Sequence, residues 1–287
     1  MTARILSGKQ VAAIVRDEVA KRVAALAGGG KSVGLATVMA GEDPASQIYV
    51  RSKHRAAEKA GMLCFDHQLP ADVGQGQIEG LVRTLNRDPQ VDGIIVQLPL
   101  PPELDGNRAV ASIDPAKDVD GLHPYNLGLL ALERGRLHPA TPSGIMRMLH
   151  HYEIETSGRL AVILGRSLLV GKPMALLLGA KGVDATVVQA HSRSRDLDDL
   201  IGKADILVAA IGKAQYVHGS QLKKGAVVID VGINRTESGL VGDVDFDSAV
   251  EVAGAITPVP GGVGVMTVAS LLANTVTAAE LALSLIH

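Results

Sequence analysis

The sequence has almost no aromatic residues: none of its 287 residues is tryptophan, and Phe, Trp and Tyr together make up 2%. Aliphatic residues and glycine predominate instead, which is typical of helices packed over nearly continuous aliphatic strands. The chain is also long enough for two domains or one large domain. We therefore predict an α/β fold.

Cysteine is nearly absent, and the single cysteine is Cys64. An internal disulfide and a cysteine-cluster metal site are thereby excluded. We interpret Cys64 as a small core residue, and its isolation fits a reducing compartment, so we expect a cytoplasmic protein. The nine histidines show no convincing metal-site spacing, so we predict that no metal is bound.

The sequence also lacks an excess of charge of one sign, because 28 Lys and Arg residues oppose 30 Asp and Glu residues. We therefore expect no nucleic-acid or membrane partner and favour a small molecule. Residues 1–10 lack the apolar core of a signal peptide. The apolar segment 265–286 contains Asn274 and Glu280, so we predict a packed terminal helix rather than a membrane span.

Predicted helices and strands alternate along the chain. The first series has helices at 7–27, 44–60 and 75–87 and strands at 33–38, 64–69 and 92–97. After a connecting helix at 141–151, the second series has strands at 160–164, 185–189, 206–210 and 226–231 and a helix from 173 to about 181. Such alternation indicates parallel sheets.

Tyr49 and Lys53 lie four residues apart on a predicted helix that begins with Asp43 as N-cap and Pro44 at the first helical position. This spacing places the phenol and the amine on one face. An amine held against an apolar flank can lose part of its affinity for a proton, which suggests acid/base chemistry. The alternative is a solvated surface lysine.

Gln97 lies where a predicted strand becomes a proline-rich loop beginning with Leu98 and Pro99. Ligands of open α/β sheets bind outside the carboxyl ends of the strands, so the Gln97 amide is a candidate site group. An amide that only caps the strand end is the alternative.

The turn after the strand at 160–164 contains Gly165, Arg166 and Ser167, and a predicted helix follows from Pro173. Glycine permits close approach of a ligand, and free amides at a helix N-terminus suit a pyrophosphate. The segment differs from the usual G-x-G-x-x-G pattern, so an ordinary tight turn remains the alternative to a dinucleotide site.

The next strand leads into Ser192 and Arg193, at the position where an NAD-preferring domain would have a ribose-binding carboxylate. Hydroxyl and guanidinium groups match a phosphate on the ribose, which favours NADP over NAD. A solvated Ser/Arg loop is the alternative. Ile233, after a later strand, is a candidate for the nicotinamide side of the crevice.

Two further loops contain candidate ligand-binding groups. In the segment 115–121, a carboxylate such as that of Asp120 could accept paired N–H donors from a planar heterocycle, whereas a surface turn with an Asp cap is the ordinary interpretation. In the segment 257–264, Pro260, Gly261 and Gly262 form a glycine-rich loop whose amides can face a ligand or simply make a rigid turn.

Together these segments resemble the bifunctional methylenetetrahydrofolate dehydrogenase/cyclohydrolase family along essentially the whole chain. The matching segments are 49–53, 93–101, 117–121, 123–126, 165–173, 231–235 and 258–264. The resemblance implies an N-terminal three-layer α/β catalytic domain (1–140) completed by a C-terminal helix (266–287), a Rossmann-like NADP-binding domain (141–265), a folate site in the cleft between them, and a homodimer.

The resemblance also implies the chemistry. NADP would oxidise 5,10-methylenetetrahydrofolate to the methenyl cation, and water would then open the ring to 10-formyltetrahydrofolate. Lys53 would move protons in the hydration step, Gln97 would hold the Lys53 amine, and Tyr49 would position the folate and the amine. Asp120 would bind the pterin edge. The remaining folate contacts are expected from Leu98, Pro99, Pro260, Gly261 and Gly262.

Val265 departs from this pattern, because the family usually has proline there, and the substitution could loosen the loop that closes over folate. Three other functions remain open on the sequence. They are a monofunctional NADP-dependent dehydrogenase, a folate- or NADP-binding paralogue without turnover, and another two-domain NADP oxidoreductase. The presence of both Lys53 and Gln97 argues against the first.

Overall fold

A computed structural model describes residues 2–237 and 239–284. The helices are α1 (Gly8–Gly28), α2 (Pro44–Lys59), α3 (Gln75–Arg87), α4 (Gly106–Ala111), α5 (Pro124–Ala131), α6 (Ala140–His151), α7 (Gly171–Gly179), α8 (Leu197–Lys203), α9 (Phe246–Ala249) and α10 (Val263–Ser284). The strands are β1 (Arg4–Ile5), β2 (Gly34–Ala40), β3 (Leu63–Leu69), β4 (Gly93–Val96), β5 (Leu160–Leu164), β6 (Thr186–Ala190), β7 (Ile206–Ala209), β8 (Val227–Asp230), β9 (Asn234–Thr236), β10 (Gly239–Val241) and β11 (Ala255–Ile256).

The chain divides into two compact units. The six-stranded unit contains the residues up to Ala12 and Thr141–Thr267, and the three-stranded unit contains Ala13–Ala140 and the residues from Val268 onward. The predicted two-domain α/β fold is confirmed. The predicted terminal helix corresponds to α10, and its predicted residues 285–287 lie outside the described residues.

The six-stranded unit has one parallel sheet with the order β1-β11-β8-β7-β5-β6. From β5 the chain runs outward to β6 and then returns to β7 on the other side of β5. This reversal of direction makes a topological switch point at the carboxyl ends of β5 and β7, where open α/β sheets bind ligands. Its core contains Val162, Leu164, Leu207 and Val228, all buried.

Residues 1–12 belong with the six-stranded unit, although the predicted boundaries place them in the other domain. Arg4 and Ile5 form β1, which pairs in parallel with Ala255 and Ile256 of β11. A strand of two residues has no detectable alternation, so only the pairing itself reveals it.

The three-stranded unit has a parallel sheet with the order β3-β2-β4. All seven residues of β2 are buried, as expected for a central strand. Residues from β2, α3, β4 and α4 share its core, among them Val38, Ile78, Val82, Ile94 and Ala109. Cys64, predicted as a core residue, is half-buried on β3, and burial raises the pKa of its thiol to about 11.

Among the described residues, α10 is the one helix long and apolar enough to cross a membrane, and 67% of its apolar window is buried inside the structure. A helix packed in a protein core has the same composition. Asn274 on this helix donates hydrogen bonds to Val119 O and His138 O, both at 2.8 Å. The Asn274 amide therefore ties α10 to the three-stranded unit.

Candidate active site

Lys53 and Gln97 form the centre of a candidate site in the three-stranded unit. Lys53 Nζ donates a hydrogen bond to Gln97 Oε1 at 3.2 Å, and Gln97 Nε2 donates to Leu98 O at 2.8 Å. The second bond determines which end of the amide faces the lysine. Lys53 is 5% exposed, so the alternative of a solvated surface lysine is wrong.

Helix α2 holds Lys53 in place from a well-defined N-terminus. The Asp43 carboxylate accepts a hydrogen bond from Ser46 N at 2.7 Å, and Pro44 occupies the first helical turn, as predicted. Tyr49 is half-buried one turn before Lys53, and burial raises the pKa of its phenol. Tyr49 is therefore a neutral hydrogen-bonding group at physiological pH.

Strand β4 positions Gln97. Gln97 N donates to Val38 O at 2.8 Å, which continues the pairing of β4 with β2 by one residue. Leu98 is half-buried and Pro99 is exposed in the loop that follows. The structure therefore places Gln97, Leu98 and Pro99 at the carboxyl end of β4, beside the central strand β2, where a ligand is expected.

The loop before α5 contains two carboxylates with different environments. Asp118 is fully buried and accepts hydrogen bonds from Leu122 N, His123 N and Asn126 Nδ2. Burial raises the pKa of Asp118. Asp120 is half-buried, and no described residue donates a hydrogen bond to its carboxylate. Asp118 is thus the turn-capping residue, which the sequence analysis did not distinguish, and Asp120 is available to a ligand.

A cavity of about 320 Å³ lies at the switch point of the six-stranded sheet. It is lined by Leu164, Gly165, Arg166, Ser167, His191, Ser192, Leu197, Ala210, Ile211, Lys213 and Tyr216. The structure thereby brings together Gly165, Arg166, Ser167 and Ser192 from the predicted cofactor residues. Arg193 and Ile233 are both exposed and do not line this cavity.

The turn from β5 into α7 has two positions that leave no room for a side chain. Gly165 has φ +128°, and a Cβ there would lie 2.3 Å from Ala210 O. A Cβ on Gly171 would lie 2.3 Å from Gly165 O. Helix α7 begins at Gly171, two residues before the predicted start at Pro173. Its N-terminal amides therefore lie close to the cavity turn, where they suit a pyrophosphate.

Sequence analysis missed Asp243, which shapes the opposite side of this cavity. Its buried carboxylate accepts hydrogen bonds from the backbone amides of Ile211, Gly212 and Lys213 at 2.7–3.0 Å. It also accepts one from Asn234 Nδ2 at 2.9 Å. Aspartates at 243, 245 and 247 alternate with apolar residues in this segment, so the sequence offered no signal that singles out Asp243.

The glycine-rich loop before α10 is tightly packed. Gly261 has φ +107° and its carbonyl accepts a hydrogen bond from Lys9 N at 3.1 Å, whereas a Cβ on buried Gly262 would lie 2.5 Å from Pro258 O. Pro260 is exposed. These contacts explain why glycine occupies both positions. Contact of these residues with folate stays a prediction.

No group of three or more His, Cys, Asp or Glu side chains in the described ranges could hold a metal ion. The chemistry available to these residues is proton transfer and dinucleotide binding. A parallel sheet with a cavity at its switch point, together with a buried lysine bonded to a residue at the end of a strand in a second sheet, is typical of nucleotide-dependent oxidoreductases.

Comparison with known proteins narrows this class to one family. Residues 6–120 match the tetrahydrofolate dehydrogenase/cyclohydrolase catalytic domain, and residues 139–283 match the NAD(P)-binding domain of the same proteins. The chain belongs to the tetrahydrofolate dehydrogenase/cyclohydrolase family. It is an NADP-dependent methylenetetrahydrofolate dehydrogenase and a methenyltetrahydrofolate cyclohydrolase.

Similar proteins support both activities. The bifunctional protein FolD of Rhodopseudomonas palustris (strain BisB5) is 54% identical, over 98% of this chain and 97% of its own. The crystal structure of bifunctional FolD from Campylobacter jejuni is 41% identical with a TM-score of 0.94, covering 98% of this chain and 99% of its own. The Trypanosoma brucei dehydrogenase-cyclohydrolase, solved with NADP and an inhibitor, is 40% identical with a TM-score of 0.93 over 99% of each chain.

Proposed function

We propose that Lys53 is the proton-transfer residue of the hydration step and that Gln97 holds its amine in position. The observation that carries this proposal is the 3.2 Å hydrogen bond between buried Lys53 Nζ and Gln97 Oε1. Hydration of the methenyl carbon and opening of the ring both require a proton to move. Because Gln97 is neutral and no carboxylate of the described residues forms an ion pair with Lys53, the amine stays available to the substrate.

Tyr49 and Asp120 would orient the substrate around this amine. Tyr49, one turn before Lys53, offers a phenol for stacking or hydrogen bonding. The half-buried Asp120 carboxylate can accept two N–H donors from the pterin edge, because no described residue donates to it. A substrate that is held in a fixed orientation beside the reacting groups has a lower barrier to both reactions.

The cavity at the switch point would hold the cofactor. Gly165 and the N-terminus of α7 suit the pyrophosphate, and Arg166, Ser192 and Arg193 suit a ribose phosphate. NADP, when bound, accepts the hydride of the dehydrogenase reaction. The residues of this chain contribute binding and alignment to that step. Ile233 would complete the nicotinamide side.

We propose a cytoplasmic homodimer that supplies 10-formyltetrahydrofolate, a one-carbon donor, to purine biosynthesis, with no nucleic-acid or membrane partner. Family resemblance supports the dimer. The near balance of charges supports the absence of a nucleic-acid or membrane partner, and the single, half-buried Cys64 fits a reducing compartment.

A spectrophotometric assay tests the proposed function. The purified protein is given 5,10-methylenetetrahydrofolate with NADP or NAD, and reduced cofactor is followed before the decay of added methenyl cation is recorded. We expect turnover with NADP, slower turnover with NAD, and accelerated methenyl decay. Dehydrogenation without accelerated decay would contradict the role given to Lys53 and Gln97.

A further inference from the structure

His54 follows Lys53 on α2 and connects this helix to two strands of the three-stranded sheet. Its Nδ1 lies 2.6 Å from the carboxylate of Asp66 on β3, and its Nε2 lies 3.1 Å from the hydroxyl of Thr37 on β2. The His54 side chain is 12% exposed. Lys53 is bonded to Gln97 at the end of β4. Two consecutive residues of α2 therefore contact all three strands of the sheet.

Both contacts of the His54 ring persist whether or not the ring is charged. An ionised carboxylate only accepts, so Nδ1 carries a proton that it donates to Asp66. The Thr37 hydroxyl can donate to a neutral Nε2 or accept from a protonated one. Among the described residues, the ring of His54 is the partner of this hydroxyl. Loss of the imidazole would leave a buried hydroxyl without a hydrogen bond, which is costly.

A hydroxyl, an imidazole and a carboxylate in this order also form the nucleophilic triad of many hydrolases. Thr37 does not suit such a role, because it is fully buried in the central strand β2, whose seven residues are all buried. No substrate can reach its hydroxyl there. The ring of His54, with a partner at each nitrogen, is likewise committed to contacts within the protein.

We propose that His54 is a positioning residue for the Lys53 amine, an inference that rests on the proposed function. Consecutive residues of a helix project about 100° apart, so Lys53 and His54 fix the rotation of α2 about its axis from two directions. A rotation that releases His54 also moves Lys53 relative to Gln97. Because a misplacement of about 1 Å can slow catalysis roughly 100-fold, the contacts of the His54 ring affect the hydration step.

The two partners of the ring contribute unequally to this positioning. Thr37 lies in the buried central strand, so its hydroxyl is a fixed point. The Asp66 side chain is 58% exposed, and ion pairs with exposed groups contribute little. The hydrogen bond from His54 to Thr37 therefore determines the position of α2 more than the contact with Asp66 does.

Substitutions that keep one nitrogen position of the ring test this assignment. His54→Leu should lower the kcat of methenyl hydrolysis about tenfold, with the KM for the methenyl substrate and the affinity for NADPH unchanged. The amide of His54→Gln can occupy the place of Nε2 beside Thr37 and should restore most of the kcat. The amide of His54→Asn can occupy only the place of Nδ1 beside Asp66 and should not.

The matched control is Ile78→Val, which shortens a fully buried side chain of α3 in the same unit. This control lowers stability without touching the His54 ring, and it should keep the wild-type kcat. A kcat that falls equally in Ile78→Val would overturn the positioning role in favour of a general loss of stability. Rescue by His54→Asn but not by His54→Gln would overturn the part assigned to Thr37.

A double-mutant cycle with Gln97→Leu tests whether His54 acts through the Lys53 contact. In the Gln97→Leu background, His54→Leu should slow hydrolysis less than about twofold, because the contact that it positions is already lost. Equal slowing in both backgrounds, or a wild-type kcat in His54→Leu, would overturn this inference alone. Wild-type hydrolysis in both Gln97→Leu and Lys53→Met would contradict the proposed function itself, and this inference with it.

Discussion

Lys53 is a buried amine beside a neutral partner. Removing an ammonium group from water is costly, and buried lysines are usually paired with a carboxylate. In the described part of the chain, Lys53 forms no ion pair, and its hydrogen bond is to the amide oxygen of Gln97. Such an arrangement has no evident value for folding, which favours a role in the reaction.

Replacement of Gln97 by leucine tests the hydrogen bond directly. Gln97→Leu removes the acceptor of Lys53 Nζ while keeping a side chain of similar size. We expect methenyl hydrolysis to slow roughly 10- to 100-fold, because hydrogen bonds to charged groups contribute about 1.5–3 kcal/mol. Initial rates of methenyl decay measure the effect.

The matched control for this variant is Gln77→Leu. The Gln77 side chain accepts a hydrogen bond from Gly74 N at the start of α3, outside the candidate site. This control should retain the wild-type rate. An unaltered hydrolysis rate in Gln97→Leu would show that the amide has no part in the step.

The sequence identifies some of these residues and not their geometry. The four-residue spacing indicates that Tyr49 and Lys53 share a helix face. The contact of Lys53 with Gln97 spans 44 residues and depends on the packing of α2 beside the β2–β4 pair, which spacing does not contain. For the same reason, only the structure distinguishes the buried Asp118 from the available Asp120.

At the scale of elements, the loop after β7 is held by hydrogen bonds to Asp243, a residue that follows β10 in the chain. The Asp243 carboxylate receives three consecutive backbone amides, from Ile211, Gly212 and Lys213. Because Ile211 and Lys213 line the cofactor cavity, Asp243 fixes part of its wall. The side chain of Asn234, on β9, is held by the same carboxylate.

Asp243→Asn should weaken NADP binding more than it slows the chemistry. The amide keeps one acceptor oxygen and adds a donor facing backbone N–H groups, so the loop should loosen. We expect about a tenfold increase in the Kd for NADPH, equivalent to about 1.4 kcal/mol, measured by fluorescence titration. Asp247→Asn, which changes an exposed residue of α9, is the control. Equal affinities in both variants would contradict the positioning role.

The predictability of the elements follows from their length. Each predicted helix and strand is present, with ends that differ by at most three residues where they are described. The hairpin of β9 and β10 and the strands β1 and β11, of two or three residues each, were not predicted, because so few residues show no periodicity. The short helices α4, α5, α8 and α9 were missed for the same reason.

The stability of the whole molecule should depend on pH through Asp230. Burial raises the pKa of this carboxyl from 3.8 to about 6, despite hydrogen bonds from the amides of Gly232, Asp243 and Val244. Between these values the folded protein binds a proton that the unfolded chain does not. The contribution of Asp230 is therefore most favourable below pH 4 and is lost as the pH rises through 6.

Asp230→Asn removes this titration, so the two proteins should differ in the pH dependence of unfolding. The free energy of unfolding of the wild type, relative to that of the variant, should fall by roughly 3 kcal/mol between pH 4 and pH 7. Urea denaturation at several pH values measures it. Parallel pH profiles would show that Asp230 has an ordinary affinity for protons in the folded state.

The hydrolysis of methenyltetrahydrofolate by Lys53→Met tests the central claim most directly. The variant keeps a long apolar stem and loses the amine, and Lys21→Met, on the exposed surface of α1, is its control. We expect methenyl decay at the uncatalysed rate in Lys53→Met, with unchanged affinity for NADPH. Near wild-type hydrolysis by this variant would contradict the assignment of proton transfer to Lys53.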